Sequence, residues 1–284
     1  MYLSSLKNKN VVITGCNKGI GRATLEEFSK NGATIFACVR TINLEFKKYV
    51  NYLKKKYKVN IQIIHLDLLD TKSISGCINE IYKTTKDIDI LVNNAGILFN
   101  ALFQMTSEKK LKEIFQINFF SQIYLTQIIS RGMAKNKKGN IIFVSSTSGL
   151  NGDEGRFAYS STKAAIINTT KTLSKELSNY NIRVNSISPG LTKTDLMLEN
   201  TNEDIIKTEV EKIPLKRIAR TDEIDFVEKI HRVYKAIKKV SSDISLNNKN
   251  TIGFVGAPWT LLVYMINQQS PKKNLKEDLK ETLL

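Results

Sequence analysis

Tyr159 and Lys163, in "AYSSTK" (158–163), stand four residues apart in a stretch of helical character, so their side chains share one face. A phenol with a reference pKa of about 10 is a poor acid–base group near neutrality. A neighbouring ammonium favours the phenolate and lowers that value, which makes the pair a candidate proton-transfer device. The second stretch with chemistry is "TGCNKGIG" (14–21). Here Gly15 permits a tight turn, while Gly19 and Gly21 let backbone approach a pyrophosphate at a helix N-terminus.

These residues need elements to hold them. "NVVITG" (10–15) reads as a buried strand, and the residues after the turn carry Ile20, Ala23, Leu25 and Phe28 at near-helical spacing up to Gly32. Further strands are expected in "ATIFACVR" (33–40), "NIQIIHLDLLD" (60–70), "DIDILVNNAG" (87–96), "GNIIFVSSTSG" (139–149) and "IRVNSISPG" (182–190). Helices are expected over about 43–57, in "SISGCINEIYKTT", over 107–132 and over 158–178. The strands are continuous apolar runs, as buried parallel strands are. The alternation predicts an α/β fold, a doubly wound parallel sheet whose ligand lies outside the carboxyl ends of the strands.

Composition narrows the classes. Apolar residues make up 42% and charged residues 25% of 284 residues, as in a soluble globular protein. The formal charge of +16 comes from lysines scattered along the chain rather than from a patch, so no nucleic-acid partner is expected. Cys16, Cys38 and Cys77 form no CxxC pair and no metal spacing. With no apparent secretory signal, they fit a reduced, cytoplasmic setting. The apolar run at 250–266 is interrupted by Pro258 and falls short of the ~20 residues of a membrane span, so no membrane association is expected.

In order along the chain, "TGCNKGIG", "NNAG" (93–96), Asn118, "SS" (145–146), "YSSTK" (159–163) and "SPG" followed by "LTKT" (188–194) resemble the short-chain dehydrogenase/reductase family over about 7–221. The nearest likeness is to 3-oxoacyl-carrier-protein reductases. The resemblance implies a catalytic set of Asn118, Ser146, Tyr159 and Lys163. It implies cofactor contacts from Gly15, Asn17, Lys18, Gly19, Ile20 and Gly21, from Asn94, Ala95 and Gly96, and from Asp67 at the adenine. Pro189, Gly190 and Thr192 would cover the nicotinamide beside Tyr159 and Lys163. Ser146 can hold a substrate carbonyl by a hydrogen bond, and Asn118 can hold a water that joins Lys163 to solvent. Taken singly each of these residues is ordinary, and together at these spacings they form a site.

An NAD-preferring site usually places an acid at the end of the second strand. This chain has "CVRT" there, with Arg40 and no acid, and Lys18 lies in the glycine-rich turn. Two cations at one spot suit a 2′-phosphate, so NADP is the expected cofactor.

After "TDEI" (221–224) the resemblance stops. "GFVGAPWTLLVYM" (253–265) instead resembles a strand and helix of the uroporphyrinogen decarboxylase barrel. The chain therefore divides into a reductase domain, 1–221, and a foreign segment, 222–284. One βα unit cannot close a barrel, so no decarboxylation is expected. The segment is expected to pack on the sheet edge, with 222–240 as a helix and 251–255 as a parallel strand beside 182–188. Residues 257–266 are expected as an apolar helix and the tail after Ser270 as disordered. The resemblance to the reductase family implies a homodimer through the two long helices, about 107–132 and 158–178. Two readings stay open: a carbonyl reductase acting on a small molecule or acyl thioester, or an inactive dinucleotide-binding chimera without a complete substrate pocket.

Overall fold

The computed structural model describes residues 6–224 and two strands at 251–254 and 263–266. Six parallel strands form the body of the sheet: β1 (Asn10–Thr14), β2 (Thr34–Val39), β3 (Ile61–His65), β4 (Ile90–Asn93), β5 (Gly139–Val144) and β6 (Ile182–Ile187). Their order is β3-β2-β1-β4-β5-β6. The strand order reverses between β1 and β4, which lie parallel, and the crevice a doubly wound sheet offers to a ligand opens there. The expected fold class is the observed one. Val11, Val12 and Ile13 of β1 are wholly buried, because helices cover both faces of the sheet.

On one face lie α1 (Gly19–Lys30) and α2 (Leu44–Tyr57), which bury Leu25, Phe28, Phe46 and Leu53 against β1 and β2. On the other lie α3 (Thr71–Thr84), α5 (Ser121–Lys135) and α7 (Phe157–Glu176), burying Ile78, Leu125, Ile129 and Ile166. Side-chain caps fix several helix starts: Asn43 accepts from Phe46 N, and Asp70 from Lys72 N. Cys16, Cys38 and Cys77 are buried free thiols.

The long helix expected over 107–132 is not continuous. It runs as α4 (Glu108–Phe115), one π-turn (Gln116–Phe120) and α5. Three short helices had no expectation: α6 (Ser148–Asn151), α8 (Asp195–Asn200) and α9 (Glu203–Lys212). Thr194 and Asn202 cap the last two by accepting from Met197 N and Asp204 N. Those caps were the available signal.

Beyond β6 the sheet continues. β7 (Thr251–Phe254) runs parallel to β6, with Phe254 opposite Ser186, which is the placement expected for the foreign strand. β8 (Val263–Ile266) pairs antiparallel with β7. This corrects the helix expected over 257–266 for its last four residues, while 257–262 lie outside the described residues. The segment "VYMI" carries β-branched and aromatic residues, and ladder hydrogen bonds to β7 outweigh helix formation in so short a piece. The expectations for 225–240 and for the tail after Ser270 lie outside the described residues. Among the described residues no helix is long and apolar enough to cross a membrane.

Candidate active site

At the carboxyl ends of β1, β4, β5 and β6 lies a cleft of about 850 Å³. Every residue expected at the site lines it except Asn118.

The dinucleotide end is built on glycines. Gly15 has φ +72°, and a Cβ there would lie 2.8 Å from the Ala95 Cα. Gly19 has φ +57° and faces Thr194. At Gly21 a Cβ would fall 2.1 Å from the Gly15 carbonyl oxygen and 2.4 Å from Asn94 Nδ2. Gly21 thus serves the turn's own packing, more than the close approach of an anion expected of it. Asn94 locks the same turn, donating from Nδ2 to the Thr14 carbonyl at 2.9 Å and the Gly15 carbonyl at 3.1 Å. Thr14 Oγ1 accepts from the Asn94 and Ala95 amides at 3.0 Å each. These bonds brace the end of β1 against the end of β4.

Asn17 and Ile20 lie in the turn with Lys18, whose Nζ donates to Glu199 Oε1 at 2.7 Å. Arg40, just past β2, is exposed and has no ion-pair partner among the described residues. Asp67 follows β3, and its Oδ1 accepts from Leu69 N at 2.9 Å. These residues, with the glycine cradle, fit a dinucleotide: the cradle leaves backbone bare at a helix N-terminus, and the rim carries an unpaired cation.

The reacting end lies on β5, α6 and α7. Ser146 follows β5, and its Oγ accepts from Ser148 N at 3.2 Å. Tyr159 and Lys163 share one face of α7, with Lys163 Nζ 5.6 Å from the Tyr159 ring centroid. Burial holds the Tyr159 hydroxyl above the usual phenol value, while contact with Ser146 and the charge of Arg156 pull it down. The lysine is not among the groups that set this balance. The ammonium instead donates to the Val144 carbonyl at 2.7 Å. Burial depresses Lys163 itself to about 8, so it sits poised between charged and neutral near physiological pH.

Asn118 stands in the π-turn between α4 and α5, fully buried. Its Oδ1 accepts from Ile97 N at 2.8 Å and its Nδ2 donates to the Ile97 carbonyl at 2.9 Å. Both ends of the amide are therefore committed to protein, and the side chain is a strut for the loop after β4. A π-turn here is the kind of irregularity that often accompanies a site.

Pro189, Gly190 and Thr192 form the wall over the cleft. The Pro189 carbonyl accepts from Thr147 N at 3.0 Å, and Thr192 bridges to Ala219. Sequence reasoning missed Gly149 and the pair Asp153–Arg156. A Cβ on Gly149 would lie 2.6 Å from the Lys163 carbonyl carbon, so glycine lets α6 seat against α7. Arg156 Nη1 reaches Asp153 Oδ2 at 3.3 Å, and Asp153 also accepts from the Ser148 hydroxyl. Neither position belongs to a motif, so only the three-dimensional packing reveals them.

The comparisons with known proteins fall on the same segments. The family described as short chain dehydrogenase matches residues 9–205. The uroporphyrinogen decarboxylase (URO-D) family matches residues 199–282, which cover the foreign segment except its last two residues and begin ahead of it. A 3-oxoacyl-acyl-carrier-protein reductase, FabG, of Aquifex aeolicus is 36% identical over 219 residues, 77% of this chain and 88% of that protein. Among solved structures, an NAD⁺-bound xylitol dehydrogenase superposes with a TM-score of 0.71 at 25% identity, over 77% of this chain and 89% of the other. A structure described as an NAD(P)-dependent gluconate 5-dehydrogenase of Beutenbergia cavernae, with bound NADP, superposes with a TM-score of 0.70 at 25% identity, over 78% and 87%. With its sheet order, its braced glycine turn and this family match, the chain belongs to the short-chain dehydrogenases.

Proposed function

We propose that the chain is an NADPH-dependent reductase of carbonyl compounds, with a 3-oxoacyl thioester as the leading substrate class. The observation that carries this reading is the meeting of Ser146, Tyr159 and Lys163 on one wall of a cleft whose other end is a glycine cradle. A bound nicotinamide dinucleotide supplies the hydride. Ser146 orients the carbonyl oxygen by a hydrogen bond, and Tyr159 donates a proton to that oxygen. The raised phenol value suits a proton donor. Lys163, near pH 8 in its own titration, restores the proton through the shared face of α7.

The choice of NADPH over NADH rests on Arg40. It is exposed on the rim without a carboxylate partner among the described residues, and no acid ends β2. A charge-assisted hydrogen bond contributes about 1.5–3 kcal/mol, hence about tenfold or more in discrimination. The thioester reading draws on the likeness to the Aquifex reductase.

The rival reading is an inactive chimera that binds a dinucleotide but lacks a substrate wall. Against it, Leu191, Met197, Lys212 and Ala219 still enclose the cleft ahead of most of the foreign segment. On this reading residues 222–284 are an addition to the sheet edge, through β7, and not an independent domain. A homodimer through α4, α5 and α7 fits the exposed Phe120 and Tyr124 on and beside α5. NADPH oxidation measured against a panel of ketones and 3-oxoacyl thioesters tests the reading. Turnover with a thioester supports it, and NADPH binding with no turnover on any carbonyl favours the chimera.

A further inference from the structure

α8 lies across the cleft and touches the glycine-rich turn at both of its ends. At its start, a Cβ on Gly19 would lie 3.3 Å from the Cβ and Cγ2 of Thr194. At its finish, Glu199 accepts from Lys18 at 2.7 Å. The next carbonyl, that of Asn200, accepts from Asn100 Nδ2 in the loop after β4. Between these contacts Met197 is buried.

Lys18 therefore has two claims on it. One is Glu199, which ties α8 down. The other, on the NADPH reading above, is the phosphate of the nucleotide. Arg40 has no such competitor among the described residues. We propose that Glu199 is a specificity-determining residue for the cofactor: its carboxylate holds Lys18 for α8, so a 2′-phosphate must compete for that ammonium, and cofactor choice is coupled to the closure of α8. The inference rests on the NADPH reading for the identity of the competing anion.

The electrostatic sign is fixed by charge. A carboxylate beside Lys18 repels a phosphate dianion and leaves a neutral ribose hydroxyl nearly unaffected. Lys18 and Glu199 are 49% and 60% exposed in their side chains, so the pair contributes little to stability. Its loss should leave the fold intact. A lysine ammonium is also a mobile point charge, able to turn from one anion to another as a guanidinium fork is not.

The test uses the full chain and two nucleotides, 2′,5′-ADP and 5′-AMP, titrated into wild type, Glu199→Gln, Lys18→Met and the double variant. Hydrogen exchange over 195–200 is followed in parallel. Glu199→Gln should tighten 2′,5′-ADP roughly tenfold, the size of one charge-assisted bond, and leave 5′-AMP within about twofold. In the Lys18→Met background the same change should have no effect. Exchange in α8 should rise in Glu199→Gln without ligand, and in wild type on adding 2′,5′-ADP but not 5′-AMP. An equal effect on both nucleotides, or a gain that persists without Lys18, would overturn the role given to Glu199. A wild type that binds 2′,5′-ADP no better than 5′-AMP would overturn the NADPH reading itself. Preference in wild type with no response to Glu199→Gln overturns the coupling alone.

Discussion

Lys163 gives a hydrogen bond from its Nζ to the carbonyl of Val144 at 2.7 Å, at the last residue of β5. The ammonium is thus anchored on the sheet, with 4% of the residue exposed. Its titration follows from that burial. The value in the fold is about 8 against an ordinary 10.5, so the folded state disfavours the charged form. The penalty is full below about pH 8, shrinks from there to about 10.5, and vanishes above. Lys163→Met should therefore be more stable than wild type at pH 7, by roughly 2 kcal/mol after the lost bond to Val144 is allowed for. The gap should close by pH 10.5. Urea unfolding at the two pH values checks this, and a gap independent of pH would assign the titration to another group.

Tyr159→Phe removes the hydroxyl and little else. Turnover of any carbonyl substrate should fall by a factor on the order of 10³ or more, while NADPH affinity stays within about twofold. Steady-state rates together with a fluorescence titration of NADPH separate the two. Comparable turnover in the variant would end the proposed proton path.

Arg40→Asp exchanges a phosphate partner for an acceptor of a ribose hydroxyl. The ratio of NADPH to NADH affinity should drop by at least about tenfold. Titration of both cofactors measures it. An unchanged ratio would show that Arg40 serves only the solvent.

Gly21→Ala places a methyl group 2.1 Å from the Gly15 carbonyl oxygen, which is backbone and cannot rotate aside. The turn must shift, at a cost of roughly 1–3 kcal/mol in stability. Dinucleotide binding should weaken with it, since the same turn forms the cradle. Gly152→Ala is the control for a glycine with open space around it, although its φ of +71° carries its own strain. Thermal melts and nucleotide titrations of both variants test whether crowding, rather than the loss of any glycine, is responsible.

Phe120 is 53% and Tyr124 40% exposed on neighbouring turns around the start of α5. If this face joins two copies, Phe120→Glu with Tyr124→Glu should convert a dimer to a monomer in light scattering, with the melting temperature lowered. A wild-type chain that is monomeric at micromolar concentration, or a double variant that remains dimeric, would exclude the interface.

The sheet was legible because its signal is redundant. Runs such as Val11–Val12–Ile13 are apolar on both sides, and each is followed by a helical period and a break. The glycine turn was legible in type but not in every function. No sequence rule says that Gly21 is bare for the sake of the Gly15 carbonyl and the Asn94 amide. Asn118 shows the same limit. Its position could be read from the motif order, but the bidentate grip on Ile97 depends on a π-turn that side-chain periodicity does not announce. The direction of the phenol's shift was not legible because a spacing of four residues says that Tyr159 and Lys163 are close, and says nothing of how deeply the hydroxyl is buried. α8 and α9 escaped because short helices carry too few residues for a periodic pattern, leaving only their caps at Thr194 and Asn202.

β7 lies against β6 with Phe254 opposite Ser186, although it falls in the part of the chain that matches the uroporphyrinogen decarboxylase family and beyond the dehydrogenase match. A strand edge recognises a newcomer through peptide groups, which every sequence carries. Kinship is no condition for entry. The edge of such a sheet is thus a socket of low selectivity, open to any extended segment that can complete the ladder. Ser146 follows β5, and Tyr159 and Lys163 stand on α7, so none of the proposed reacting groups is carried by β7. An exchange at β1 or β4 would instead strike the glycine turn, which the ends of those two strands hold.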